Sequence, residues 1–289
     1  MSRRELAGDE LFERVSPEVG EFDDDAFDEA MANDPDAALA LVATLTAAVD
    51  ERLRERARQV ARRVVIASAR SGVARRGRPG RLVSAPFAPG GDLDVDAAVE
   101  ARVAAGGGVP AVDDLRVIEW ERPDLALCVM VDRSGSMRGD ALATAAMTAA
   151  VVALRATGEY ALVTFAGDVE VVRPMAASDP SPDVGAGVVD AVLALRGHGT
   201  TDVAGALLAG AAQLARSRAG RRVGVLLSDA RATEPGDVVA AGRAYDELVI
   251  IAPDDDADEA RSVGAAIGAR VVTWTGPSQI PVVLRDALA

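Results

Sequence analysis

The apolar residues of this 289-residue chain change their period near residue 116. Before it, Leu39, Val42, Leu45, Val49, Leu53, Ala57, Val60 and Val64 recur in steps of three and four. Those steps describe one face of a long helix, or of two consecutive ones, opening at Asn33-Asp34-Pro35 and stopping near Gly72. After it, apolar runs become short and continuous: RVIEW, LALCVMV, YALVTFA, VEVVRP, RVGVLLS, ELVIIA and RVVTW. Helical patterns over 139–157, 184–195, 203–218, 235–243, 257–267 and 278–288 lie between most of these runs. Such alternation predicts a doubly wound, Rossmann-like, mostly parallel α/β sheet covered on both faces. FAGDVEVV is the exception, because Gly-Asp between two strand runs predicts a hairpin and one antiparallel edge strand. The expected organisation is a mainly helical, Arg-rich extension over 1–115 and an α/β domain over 116–289. Within the extension, ARRGRPGR (74–81) reads as a linker or loop.

Composition narrows the class. The chain is 49% apolar but 3% aromatic, so its core must be built from Ala, Val and Leu. A net charge of −14 argues against general affinity for nucleic acid or anionic membrane. Every basic residue is Arg. The single cysteine, Cys128, lies in an apolar run and reads as a small buried hydrophobe, which fits a reducing compartment. The start, MSRRELAGDELFERV, lacks the apolar core of a signal peptide, and no stretch reaches the roughly 20 apolar residues of a membrane span. A soluble, cytoplasmic protein is expected.

The candidate chemistry sits where strands end. LALCVMV runs into Asp132, and Ser134 and Ser136 follow in the turn VDRSGSM. One carboxylate and two hydroxyls at that spacing can hold a hard cation, activate a serine, or cap the next helix. Two further oxygen-bearing turns fall at the same predicted rim. Thr200 and Thr201 precede a helix in GHGTTDVAGAL, and Asp229 ends the apolar strand of VLLSDA. Ligands of open α/β sheets bind at that rim. A carboxylate at the end of a buried strand is costly without a partner, so two converging with hydroxyls point to a cation between them. Oxygen donors suit Mg²⁺, Mn²⁺ or Ca²⁺, and the few charged ligands favour a Mg²⁺-like octahedron that keeps several waters.

These residues, in this order, resemble the von Willebrand factor A domain with a metal-ion-dependent adhesion site. The family's D-x-S-x-S matches Asp132, Ser134 and Ser136, its threonine falls on Thr201, and its last aspartate falls on Asp229. The family often has Gly after that aspartate, where Ala230 stands here. RRGRPGRLVS followed by GGDLDVDAAVE is similar, more weakly, to the basic extension of the bacterial CoxE-like and magnesium-chelatase D-type branch. The resemblance implies a non-enzymatic module for metal-dependent protein–protein recognition. It implies a MoxR-type AAA+ ATPase, or a client presenting Asp or Glu, as partner. Asp132 would anchor the metal, Ser134 and Ser136 would coordinate it, and Thr201 and Asp229 would bind directly or through water.

Competing readings are weaker. Ser134 and Ser136 serve as helix caps in the plainest alternative. His198, the one histidine, invites a serine or metal-assisted hydrolase on the same rim, but no G-x-S-x-G elbow exists. His198 is read instead as a loop residue beside the rim. DLDVD (92–96) begins like an EF-hand loop, yet Ala97 takes the required glycine position. No G-x-G-x-x-G or Walker lysine is present, which argues against nucleotide binding. The eleven Arg of residues 52–81 are read first as a solvated face with local ion pairs, and second as a dock for an acidic partner. DDDADE (254–259) reads as an acidic helix start.

Overall fold

A computed structural model describes residues 3–6, 8–72, 81–87, 92–121, 125–133, 140–155, 159–175, 184–195 and 199–288. By contact the chain divides into two units, residues 1–74 with 125–289, and residues 75–124. The first unit opens with α1 (Arg3–Leu6), α2 (Glu10–Val15), α3 (Asp24–Asn33), α4 (Pro35–Leu45) and α5 (Glu51–Gly72). Aspartates start four of them. Asp9 accepts from the amides of Leu11 and Phe12, Asp23 from Ala26, Asp34 from Ala37 and Asp50 from Leu53, all within 2.9–3.1 Å. Each satisfies an amide that the helix cannot and places negative charge at the positive end of the dipole. Part of the acidic composition is therefore structural. Leu39, Val42, Leu45, Leu53, Ala57 and Val60 of the expected stripe are buried, whereas Val49 lies in the break between α4 and α5 and is exposed.

The second unit holds β1 (Arg81–Pro86), β2 (Asp92–Leu93), α6 (Val95–Ala104) and β3 (Arg116–Glu121). Its strands form an antiparallel sheet in the order β1-β3-β2. The strand expected at RVIEW thus forms, but outside the parallel sheet. Charged residues at 116, 119 and 121 set it apart from the unbroken apolar runs of the parallel sheet. The Arg116 guanidinium donates to Ser84 Oγ at 2.8 Å and to the Ser84 carbonyl at 2.6 Å. Asp94, from the EF-hand-like run, caps α6 by accepting from the Ala97 amide at 3.1 Å. The Ser84 hydroxyl, then that amide, hold its carboxyl below the usual range.

The remainder of the first unit is the α/β sheet. It comprises β4 (Leu125–Asp132), α7 (Asp140–Arg155), β5 (Tyr160–Phe165), β6 (Val169–Arg173), α8 (Val184–Leu193) and α9 (Val203–Leu214). There follow β7 (Arg221–Leu227), α10 (Val238–Gly242), β8 (Glu247–Pro253), α11 (Asp258–Ile267), β9 (Arg270–Trp274) and α12 (Ile280–Ala287). The order is β6-β5-β4-β7-β8-β9, parallel throughout except for β5 against β6. The fold is thus α/β with a mostly parallel sheet and one antiparallel edge pair. The chain starts in the middle, winds one way to β6, then returns to wind the other way from β7. The switch in direction falls between β4 and β7.

Strand parity splits the core in two. Leu127, Val129 and Val131 of β4 belong to one cluster, and Ala126, Cys128 and Met130 to the other. The first cluster lies under α7, α8 and α12 and takes in the buried faces of α4 and α5. Thr46 Oγ1 donates to the Ala43 carbonyl at 2.6 Å and lies 3.1 Å from the Leu193 carbonyl, and Arg62 pairs with Asp190 at 3.5 Å, so helices of the extension meet α8. Arg56 and Arg63 pair with acids of α3, in line with a solvated face carrying local ion pairs. The second cluster lies under α9, α10 and α11. There the Tyr245 hydroxyl donates to the Leu207 carbonyl at 2.5 Å. Its ring fits because Gly224 lacks a Cβ, which would collide with it.

Candidate metal centre at the switch point

β4 and β7 pair in parallel with Val131 opposite Leu227, so the next residues, Asp132 and Ser228, emerge side by side at the switch. Asp132 is only 7% exposed. Ser228 Oγ donates to Asp132 Oδ2 at 2.6 Å and accepts from the Ala230 amide at 3.0 Å. A charge-assisted bond of this kind offsets part of the cost of holding a carboxylate away from water. Asp229 is half-buried, and its Oδ1 accepts from the Arg231 amide at 2.9 Å, which closes a tight turn. Ala230 inside that turn has φ 64°, in the left-handed region. Glycine reaches that conformation without a steric cost.

Thr201 is 6% exposed and lies one residue ahead of Asp202. Asp202 caps α9 through the Gly205 amide at 2.8 Å, and its own amide donates to the Ala166 carbonyl at 2.7 Å. The Thr201 amide donates to Thr233 Oγ1 at 2.7 Å. Its carbonyl accepts from the amides of Thr233 at 3.0 Å and Glu234 at 3.2 Å. Beside it the Arg133 amide donates to the Phe165 carbonyl at 2.7 Å, and its guanidinium pairs with Asp168, also at 2.7 Å. The connections after β4, β5 and β7 and the one before α9 are therefore bonded to one another at a single rim.

Of the five residues expected to bind metal, Asp132, Thr201 and Asp229 lie on this rim. Ser134 and Ser136 lie outside the described residues, as does His198. Ser228 was not anticipated. It stands between the apolar run and Asp229 in VLLSDA, but its bond to Asp132 depends on knowing that β4 and β7 are neighbours. Among the described residues no three His, Cys, Asp or Glu side chains gather in one group. The rim instead combines two carboxylates with neutral hydroxyls, a donor set that fits a hard divalent cation. The surroundings are acidic. Burial, then the carboxylates of Asp36 and Asp34, raise the pKa of Asp140 at the start of α7. Asp256, following β8, pairs with Arg231. An open groove of about 920 Å³ runs beside Ala230, with Arg231, Asp237 and Glu259 on its walls. Cys128 takes no part, since burial pushes its thiol up to about 12.

The switch point of a doubly wound sheet, at its strand ends, is where ligands of open α/β sheets bind. Residues 127–231 match the family model of the von Willebrand factor type A domain, which supports a domain of that type in this part of the chain. The matched span contains all five expected metal ligands. No curated protein matches the chain. Among solved structures, an aerotolerance-related membrane protein from Bacteroides fragilis, carrying multiple mutations to serine, is 12% identical with a TM-score of 0.46. That match covers 57% of this chain and 98% of the other. A von Willebrand factor type A protein from Catenulispora acidiphila is 17% identical, with a TM-score of 0.47 over 58% of this chain and 43% of that one. The PilB minor pilin from Streptococcus sanguinis is 12% identical, with a TM-score of 0.48 over 62% and 65%. Among the described residues no helix is long and apolar enough to cross a membrane.

Proposed function

We propose that this protein is a non-catalytic, metal-dependent protein-recognition module, an adaptor for a MoxR-type AAA+ ATPase. Asp132, Ser134, Ser136, Thr201 and Asp229 would hold Mg²⁺, with Mn²⁺ or Ca²⁺ as substitutes. A cation there supplies an open coordination position for an Asp or Glu of the ATPase or of a client. The observation that carries the reading is the Asp132 carboxylate. It is nearly buried at the switch point and held by a hydroxyl from the neighbouring strand end. The match of residues 127–231 to the von Willebrand factor type A family supports it.

Titration calorimetry on the full chain is the first test. Asp132→Ala is expected to abolish Mg²⁺ and Mn²⁺ binding while circular dichroism reports an intact fold. Unchanged affinity in that variant would mean that the site is misassigned. The second test is capture of a MoxR-type ATPase on immobilised protein. EDTA, or Thr201→Ala, is expected to speed dissociation, because a desolvated charge contact acts mainly on the off-rate. Equal off-rates with and without metal, in both proteins, would move the docking face elsewhere.

A further inference from the structure

A second layer of contacts surrounds Thr201. Thr200 and Glu234 lie one position outside the Thr201–Thr233 contact, and Thr200 Oγ1 donates to Glu234 Oε1 at 2.6 Å. Inside that pair, the Thr201 amide and carbonyl are both taken up by Thr233 and by the Glu234 amide. Thr200 is boxed in from the β5–β6 turn as well. Gly167 passes so close that a Cβ there would stand 2.5 Å from Thr200 Oγ1. Thr200 and Thr233 are exposed and Glu234 is half-buried, so core packing does not explain why these loops are fastened together. Thr201 between them is nearly buried.

We infer that Thr200, Thr233 and Glu234 form a clamp that positions Thr201 toward the cation site. The inference rests on the metal reading above. A threonine in a connection between helices can adopt several backbone conformations, and a neutral hydroxyl adds to metal affinity only when it is held in place beforehand. Outer partners of metal ligands typically contribute about 10- to 100-fold in affinity. The Glu234 carboxylate accepts from the Thr200 hydroxyl, a bond that fixes the β7–α10 loop against the approach to α9. Glu234 is accordingly a positioning residue. Gln at this position keeps an oxygen that can accept from Thr200, whereas Ala keeps none.

The test is Mn²⁺ titration calorimetry on the full chain, with thermal unfolding in EDTA for each protein to verify folding. Thr200→Val and Glu234→Ala should each weaken Mn²⁺ binding by about 10- to 100-fold. The double variant should be no weaker than the worse single one, because both remove the same bond. Glu234→Gln should stay close to wild type. Wild-type affinity in Thr200→Val and Glu234→Ala would overturn the clamp and leave the metal site standing. Affinity in Glu234→Gln as poor as in Glu234→Ala would also overturn it, since Glu234 would then be acting through its charge. Absence of any Asp132-dependent Mn²⁺ binding in the wild type would overturn the metal reading, and the clamp with it.

Discussion

Leu45 is a sensitive place to ask whether the N-terminal helices and the α/β sheet form one cooperative body. It is fully buried at the end of α4, in the cluster that also contains Leu127, Val129 and Val131 of β4. Leu45→Ala removes about 2 kcal/mol of transfer free energy, at roughly 0.8 kcal/mol per methylene. The cavity left behind brings the total to about 3 kcal/mol. With an m value of about 3 kcal/mol per molar urea for a unit of this size, the midpoint should fall by about 1 M. Cys128 is the reporter. It is the one cysteine in the chain and is buried in the cluster on the other face of the sheet. Pulsed thiol labelling across a urea series should therefore show the same 1 M drop as far-UV circular dichroism. If dichroism shifted while the Cys128 labelling curve stayed at its wild-type midpoint, the helices would be a separate module and the shared-core argument would fail.

Gly224→Ala should destabilise the protein by about 1–3 kcal/mol, because the added methyl meets the Tyr245 ring. The same change made in a Tyr245→Leu background should cost less, and an equal cost in urea unfolding of both would refute the clash. Stability should also fall on the alkaline side. Burial raises the Cys128 thiol to about 12 in the native state, against about 8.5 in the unfolded chain. Between those values the unfolded state loses a proton that the native state keeps. This contribution is complete below the lower value and declines by about 1.4 kcal/mol per pH unit toward the upper one. Tyr245, also raised by burial, adds a decline of the same sign at higher pH. Cys128→Ala should flatten the slope of urea stability from pH 9 to 10, and an unchanged slope would count against the thiol as its source.

The sheet was legible because its strands are buried on both faces and so read as unbroken apolar runs, and because Gly-Asp marks the β5–β6 turn. α4 was legible through its Asp34-Pro35 start and apolar stripe, whereas the caps at Asp9, Asp23, Asp50 and Asp94 were recognised only with the helices in place. Local pattern identifies an element and its face, but it does not name the neighbour. RVIEW has the pattern of a strand whichever sheet it joins, and only its charged positions hint at the antiparallel one. Val49 continued the helical period through the break between α4 and α5 by coincidence of spacing, since no element there requires it to be buried. Asp132, Thr201 and Asp229 could be assigned to one rim from sequence because their residue types stand out at strand and helix ends. Thr233 and Glu234 were not, because a Thr and a Glu in a surface loop carry no signal until the loop opposite them is known.

Ser228 and Ala230 show how such pairings govern the rim. A hydroxyl has one proton to give and lone pairs to receive. Ser228 uses both capacities, giving its proton to Asp132 and receiving the Ala230 amide. Ala230 needs the help, because a left-handed backbone costs a residue with a Cβ about 1–2 kcal/mol, and this is the position where the resembled family often has Gly. Its methyl is 1% exposed and packs into the cluster under α9 to α11, a gain that Gly would forgo. The same serine thus steadies the carboxylate on β4 and the strained turn that carries Asp229. Removing that hydroxyl, as in Ser228→Ala, would take a hydrogen-bond partner from the carboxylate and from the turn at once.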